Sequence, residues 1–246
     1  MRKIKKIYQL LLTAYGYQGW WPILNCKGNN PTKTGSVKGY HPKDYSYPQT
    51  DLERFEICIG AILTQNTGWV QVEKALQNLE KLKLIDPNKI INVTDETLKT
   101  AIKPAGYFNQ KARKLKLFSQ FFIELNDRVP TREGLLDVWG VGPETADSIL
   151  LYGYHVPVFV IDAYTKRIFS RIGLINADLS YDEFQKIFHN VFENIYEEEN
   201  KNKSELFNEY HALIVEHAKR NCKVKPDCEC CVLKRECEFL KKSCNF

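Results

Sequence analysis

Apolar residues recur at helical spacing in seven stretches, residues 52–64, 70–84, 107–125, 143–153, 163–172, 181–197 and 203–219, and almost nowhere at the alternation of a strand. The pattern predicts an all-α chain. The one short strand candidate is "VPVFVI" at 156–161. Ile4, Ile7, Leu11 and Tyr15 share one face of an amphipathic N-terminal helix. Breakers cluster at Asp86-Pro87-Asn88, Lys103-Pro104-Ala105-Gly106, Val129-Pro130-Thr131 and Gly173, where helices should end. Residues 23–50 lack periodicity and are rich in Gly, Pro, Asn and Lys, so they are expected to form a long loop, either a mobile surface insertion or a segment that contacts DNA or covers a pocket. The chain of 246 residues, 43% apolar, can bury a core as one or two domains. No apolar run approaches the roughly 20 residues of a membrane span, and a soluble, cytoplasmic protein is expected. A formal charge of +5 permits a polyanionic partner without requiring one.

The segment "LLDVWGVGPETADSILLYG" (135–153) sets Gly140 and Gly142 one residue apart between two apolar stretches. Glycines there allow a tight hairpin between two helices, with outward N–H groups and Pro143 at the position of a new helix where proline is best tolerated. Such amides can take a phosphate, although a plain helical connection reads the same way. Twenty residues past Gly142 stands Asp162, which by itself reads as a helix N-cap.

Of eight cysteines, six fall within residues 222–244, while Cys26 and Cys58 stand alone. A large protein of a reducing compartment gains little from disulfides, so the crowding suggests a metal. Cys222, Cys228, Cys231 and Cys237 read C-x5-C-x2-C-x5-C, with Cys230 and Cys244 to spare. Spacing alone does not separate a zinc site from an iron–sulfur cluster.

Hairpin and aspartate together, "GVGPETAD" followed by "VIDAYTKRI", resemble the signature of the helix-hairpin-helix (HhH-GPD) DNA glycosylases of the endonuclease III superfamily. "ILTQNT" (62–67) and "AGYFNQKA" (105–112) resemble two further segments of that family. The resemblance spans roughly residues 51–240. It implies a two-lobed helical fold: an N-terminal helix and long loop (1–50) on the cluster-side lobe, a central helical domain with the hairpin (51–160), returning helices (161–221) and a C-terminal [4Fe–4S] loop and tail (222–246). It also implies a monomer that binds double-stranded DNA carrying a damaged base, nucleoid-associated, with no membrane partner. By the same match Asp162 is the catalytic carboxylate, and Gln65, Gly140, Gly142, Glu144 and Thr145 contact DNA, with a monovalent cation at the hairpin. Cys222, Cys228, Cys231 and Cys237 then hold the cluster, the first gap being one residue shorter than in the family, and Lys219, Arg220, Lys223, Lys225, Lys234 and Arg235 form a basic surround or a solvated face.

Relatives that also cut the strand carry a Lys at the second position after the last hairpin glycine, whose amine forms a Schiff base. Here that residue is Glu144, so a monofunctional glycosylase is expected. Lys166, four residues after Asp162, is a nearby amine expected on a solvated helix face. "WWP" (20–22) and Trp69 resemble the 3-methyladenine branch, where aromatics sandwich the flipped base; Trp20, Trp21, Pro22 and Trp69 are the matching pocket residues. The same tryptophans could merely staple the first helix to the core. One departure from that branch is Leu213, where its late helix carries a Lys. The rival readings are a mismatch thymine or uracil glycosylase and a non-catalytic DNA-binding protein.

Overall fold

The computed structural model describes residues 2–193 and 202–243, and among them no strand forms. Helices run in chain order as α1 (Arg2–Tyr15), α2 (Asp51–Leu63), α3 (Trp69–Lys81), α4 (Pro87–Asn92), α5 (Asp95–Ile102), α6 (Phe108–Leu125), α7 (Arg132–Asp137) and α8 (Pro143–Ser148). They continue as α9 (Ala163–Ile172), α10 (Tyr181–Glu193), α11 (Lys203–Arg220) and α12 (Glu238–Ser243). The end of the helix expected over 181–197 and the spare Cys244 lie outside the described residues.

The chain divides into two compact units, residues 1–20 with 157–246 and residues 21–156. The first fifty residues therefore do not stay together: helix α1 belongs to the first unit, and 21–50 belong with the central helices.

In the first unit, α1 buries Ile4, Ile7 and Leu11, the face expected from their spacing. Tyr210 of α11 donates its hydroxyl to the Ile4 carbonyl (2.8 Å), and Tyr8 meets its ring edge-on. The core is aromatic, with Phe159 stacked on Phe188 at 4.1 Å and Phe169 and Phe207 edge-on to this pair. The strand candidate 156–161 becomes irregular chain, buried from Val158 to Ile161. Its polar groups turn to α10 instead of a neighbouring strand: Phe159 N–H donates to His189 Nε2, Gln185 donates to the Phe159 carbonyl, and Ile161 N–H donates to the Tyr181 hydroxyl. Side chains thus meet the hydrogen-bond requirement that made a strand plausible.

In the second unit, α2 begins at a Thr50–Glu53 capping box and buries every residue from Phe55 to Leu63. The loop 21–50 is no unanchored insertion. Ile23, Asn30, Ser36, Tyr40 and His41 are buried, and His41 Nε2 lies 2.9 Å from the Trp21 carbonyl. Helix α8 widens into a π-turn over Ile149–Gly153, and Arg54 of α2 donates to the Gly153 carbonyl.

Candidate functional site

Asp162 is the N-cap of α9. Its Oδ1 accepts from the Thr165 N–H (2.6 Å) and the Thr165 hydroxyl (2.7 Å), and its Oδ2 lies 3.6 Å from Nε2 of His211 on α11. Burial opposes the charge, yet His211 and the Thr165 hydrogen bonds outweigh it and hold the carboxyl below its ordinary range. The cap and the anion are thus one arrangement, not alternatives.

Trp20, in the same unit, stands edge-on to His211 with ring centroids 6.2 Å apart, and its carbonyl accepts from Asn208. Lys219, expected in a basic surface group, instead turns inward and lays its ammonium 5.3 Å from the Trp20 ring centroid. Burial depresses its pKa against the opposing pull of Glu216 and Asp162. The sequence placed Lys219 only in a basic surround and did not single out His211; their spacing of eight on one helix was the available signal. Lys166 does not lie free in solvent: its ammonium donates to the Leu179 carbonyl at 2.7 Å.

The remaining aromatic candidates belong to the second unit. Trp21 is 6% exposed and packs edge-on to Trp69 at 5.3 Å and against Tyr152. Pro22 and Trp69 line a cavity of about 390 Å³ together with Glu56, Glu73 and Glu80.

At the hairpin, Gly140 has φ +84 and the Lys114 side chain lies across it, so a Cβ would collide with the aliphatic stem of Lys114. Gly142 is different: its φ is −100 and an added Cβ meets open space, so backbone conformation does not demand glycine there. Gln65 reaches back onto the hairpin, donating to the Gly140 carbonyl and the Thr145 hydroxyl (3.0 Å each), while Lys114 donates to its Oε1. Lys111, 2% exposed, fixes the turn that carries Gln65 by donating to Leu63 O, Thr67 Oγ1 and Ala105 O at 2.8 Å each. Glu144 stands exposed on the first turn of α8. The Val138 carbonyl accepts from the Val141 N–H and the Gly140 carbonyl from Gln65. Behind it, Arg132 of α7 makes a two-point contact with fully buried Asp147 of α8.

Cys222, Cys228, Cys231 and Cys237 line one pocket, whereas Cys230 is exposed. Among the described residues no three His, Cys, Asp or Glu side chains are close enough to hold a metal ion. The donor set nevertheless fits a thiolate-ligated group. Arg171 donates to Cys222 Sγ and to the Lys223 and Val224 carbonyls, tying the loop to α9, and burial with the three neighbouring thiols pushes Cys231 up to about 11.

No helix among the described residues is long and apolar enough to cross a membrane. Comparison with known proteins finds a Methanocaldococcus jannaschii protein, whose name assigns it to the DNA repair glycosylases, 41% identical across 95% of both chains. Among solved structures, the H. pylori 3-methyladenine DNA glycosylase bound to 1,N6-ethenoadenine is 29% identical, covering 89% of this chain and 96% of that one with a TM-score of 0.66. An endonuclease III–DNA complex shares the fold at a TM-score of 0.76 and 20% identity, over 100% of this chain and 98% of that one. Residues 59–194 match the HhH-GPD superfamily base excision DNA repair proteins, and this stretch contains both the hairpin and the capped, ionised Asp162. The chain therefore belongs to the HhH-GPD superfamily and is a DNA glycosylase of base excision repair.

Proposed function

We propose that this glycosylase releases its base by hydrolysis alone, with Asp162 as the carboxylate, and that its substrate is alkylated adenine in double-stranded DNA. The observation that carries the reading is the setting of Asp162, a buried carboxyl that accepts twice from Thr165 and lies 3.6 Å from His211, beside which Trp20 and Lys219 stand. As the N-glycosidic bond breaks, positive charge develops on the deoxyribose. A fixed anion stabilises that charge and orients or deprotonates the attacking water. Binding DNA alone does not require a carboxylate facing the scissile bond. Glu144 at the position of the lyase lysine removes the nucleophilic amine there, which supports a monofunctional reaction.

Trp20 offers an indole to an electron-poor flipped purine, and an alkylated adenine leaves with little acid assistance. The H. pylori relative, with its ethenoadenine ligand, supports this substrate class. One observation favours a second reading. The Lys219 ammonium over Trp20 would repel a cationic base and suits a neutral one, such as a mismatched thymine or uracil.

Cys222, Cys228, Cys231 and Cys237 would hold a [4Fe–4S] cluster, which supplies a four-point crosslink of the C-terminal loop and takes no part in hydrolysis. Anaerobically purified protein should be brown, with broad absorption near ~400 nm. A colourless protein carrying stoichiometric zinc would replace the cluster with a zinc site.

A panel of duplexes with one lesion each, treated with alkali to reveal abasic sites, tests the substrate. Release of 3-methyladenine is expected. Release confined to mismatched thymine or uracil would establish the second reading.

A further inference from the structure

Trp139 stands apart from its hairpin neighbours. Val138 and Val141 are 8% and 6% exposed, while Trp139, between Val138 and Gly140, is 45% exposed. Arg113 of α6 places its guanidinium 4.2 Å from the indole centroid, and the next residue, Lys114, lies across Gly140. One solvent-facing corner of the second unit thus carries an indole, a guanidinium and an ammonium. Core packing does not explain a tryptophan this open. A cation-backed indole is suited to a nucleobase on its ring surface and a phosphate on its guanidinium.

We infer that the Arg113–Trp139 pair is a DNA-contacting platform, on which an unstacked base of the damaged duplex lies against the indole while Arg113 takes a neighbouring phosphate. The inference rests on the glycosylase assignment, because excision requires the target nucleotide to leave the stack and so exposes the π-faces of its neighbours. It does not depend on which lesion is removed. Stacking on an aromatic tolerates any base, so the platform adds affinity for distorted DNA without sequence preference.

The test measures binding by anisotropy to two labelled duplexes, one intact and one holding a tetrahydrofuran abasic analogue, with the thermal midpoint of each variant as a folding control. Trp139→Ala and Trp139→Leu should each lose about tenfold in affinity for the abasic-analogue duplex and much less for the intact one, whereas Trp139→Phe should stay within about threefold of wild type. Arg113→Ala should lower the slope of log affinity against log salt by about one. Equal binding by the Leu and Phe variants, or equal losses on both duplexes, would overturn the inference by reducing Trp139 to apolar bulk. Wild type that binds neither duplex would overturn the assignment beneath it.

Discussion

Asp162 and Glu56 are carboxyls withdrawn from water, one in each unit, at 9% and 4% exposure. Asp162 receives two hydrogen bonds from Thr165 and faces His211, and its carboxyl is held below the ordinary range. Glu56 sits in the wall of the 390 Å³ cavity and accepts one hydrogen bond, from the Leu24 N–H. Burial, reinforced by Glu80 and Glu53, pushes it up to about 8. Similar burial therefore yields an anion in one unit and a neutral acid in the other. What separates them is the number of donors and the sign of the neighbouring charge. Only the first can stabilise a sugar cation.

The largest effect expected from breaking this contrast is at Asp162. Asn is as good an N-cap as Asp, so Asp162→Asn should leave the fold and duplex binding intact while base release falls by about 10³-fold or more. Single-turnover excision beside a binding isotherm checks both halves, and normal turnover would move catalysis to another group. Asp147, fully buried, has a different partner, the Arg132 guanidinium. Arg132→Ala removes that partner from beneath the hairpin and should cost about 3 kcal/mol, read as a lowered denaturation midpoint.

At Glu56 the effect is smaller and depends on pH. A folded pKa near 8, above the ordinary carboxylate value, means that the folded state keeps a proton the unfolded chain has lost. The stability this contributes is complete below about pH 4.5 and is lost as pH rises to about 8. Glu56→Gln keeps the acceptor for Leu24, so it should flatten the thermal midpoint between pH 5 and 9 and stabilise the alkaline end by roughly 1–3 kcal/mol. Parallel slopes for wild type and variant would show that Glu56 ionises normally.

The smallest signal concerns the hairpin, where Glu144 stands exposed on the first turn of α8. Wild type incubated with substrate and borohydride should give no covalent DNA adduct, and strands should break only after alkali. Glu144→Lys should restore a trace of trapping, limited because an exposed amine stays largely protonated. An adduct from wild type would point first to Lys219, whose depressed pKa favours a neutral amine.

Local patterns carried much of this protein in the sequence itself. The 3.6-residue spacing of apolar side chains located the longer helices but not the short α4, α5, α7 and α12, and α9 begins and ends at the expected residues, because an Asp cap and a Gly stop act within one turn. The order of hairpin, Asp162 and cysteines was equally legible, since the family's motifs are short and contiguous. Other outcomes needed residues distant in the chain. Segment 156–161 reads as a strand until α10 supplies its hydrogen-bond partners, and 23–50 reads as a loose insertion until Ile23, Tyr40 and His41 find their burial. The inward turn of Lys219 depends on Trp20, nearly 200 positions earlier. Whether Asp162 and Glu56 are ionised was likewise a tertiary decision. A pKa is set by which donors and charges surround a group after folding, and neighbours along the chain do not specify that environment.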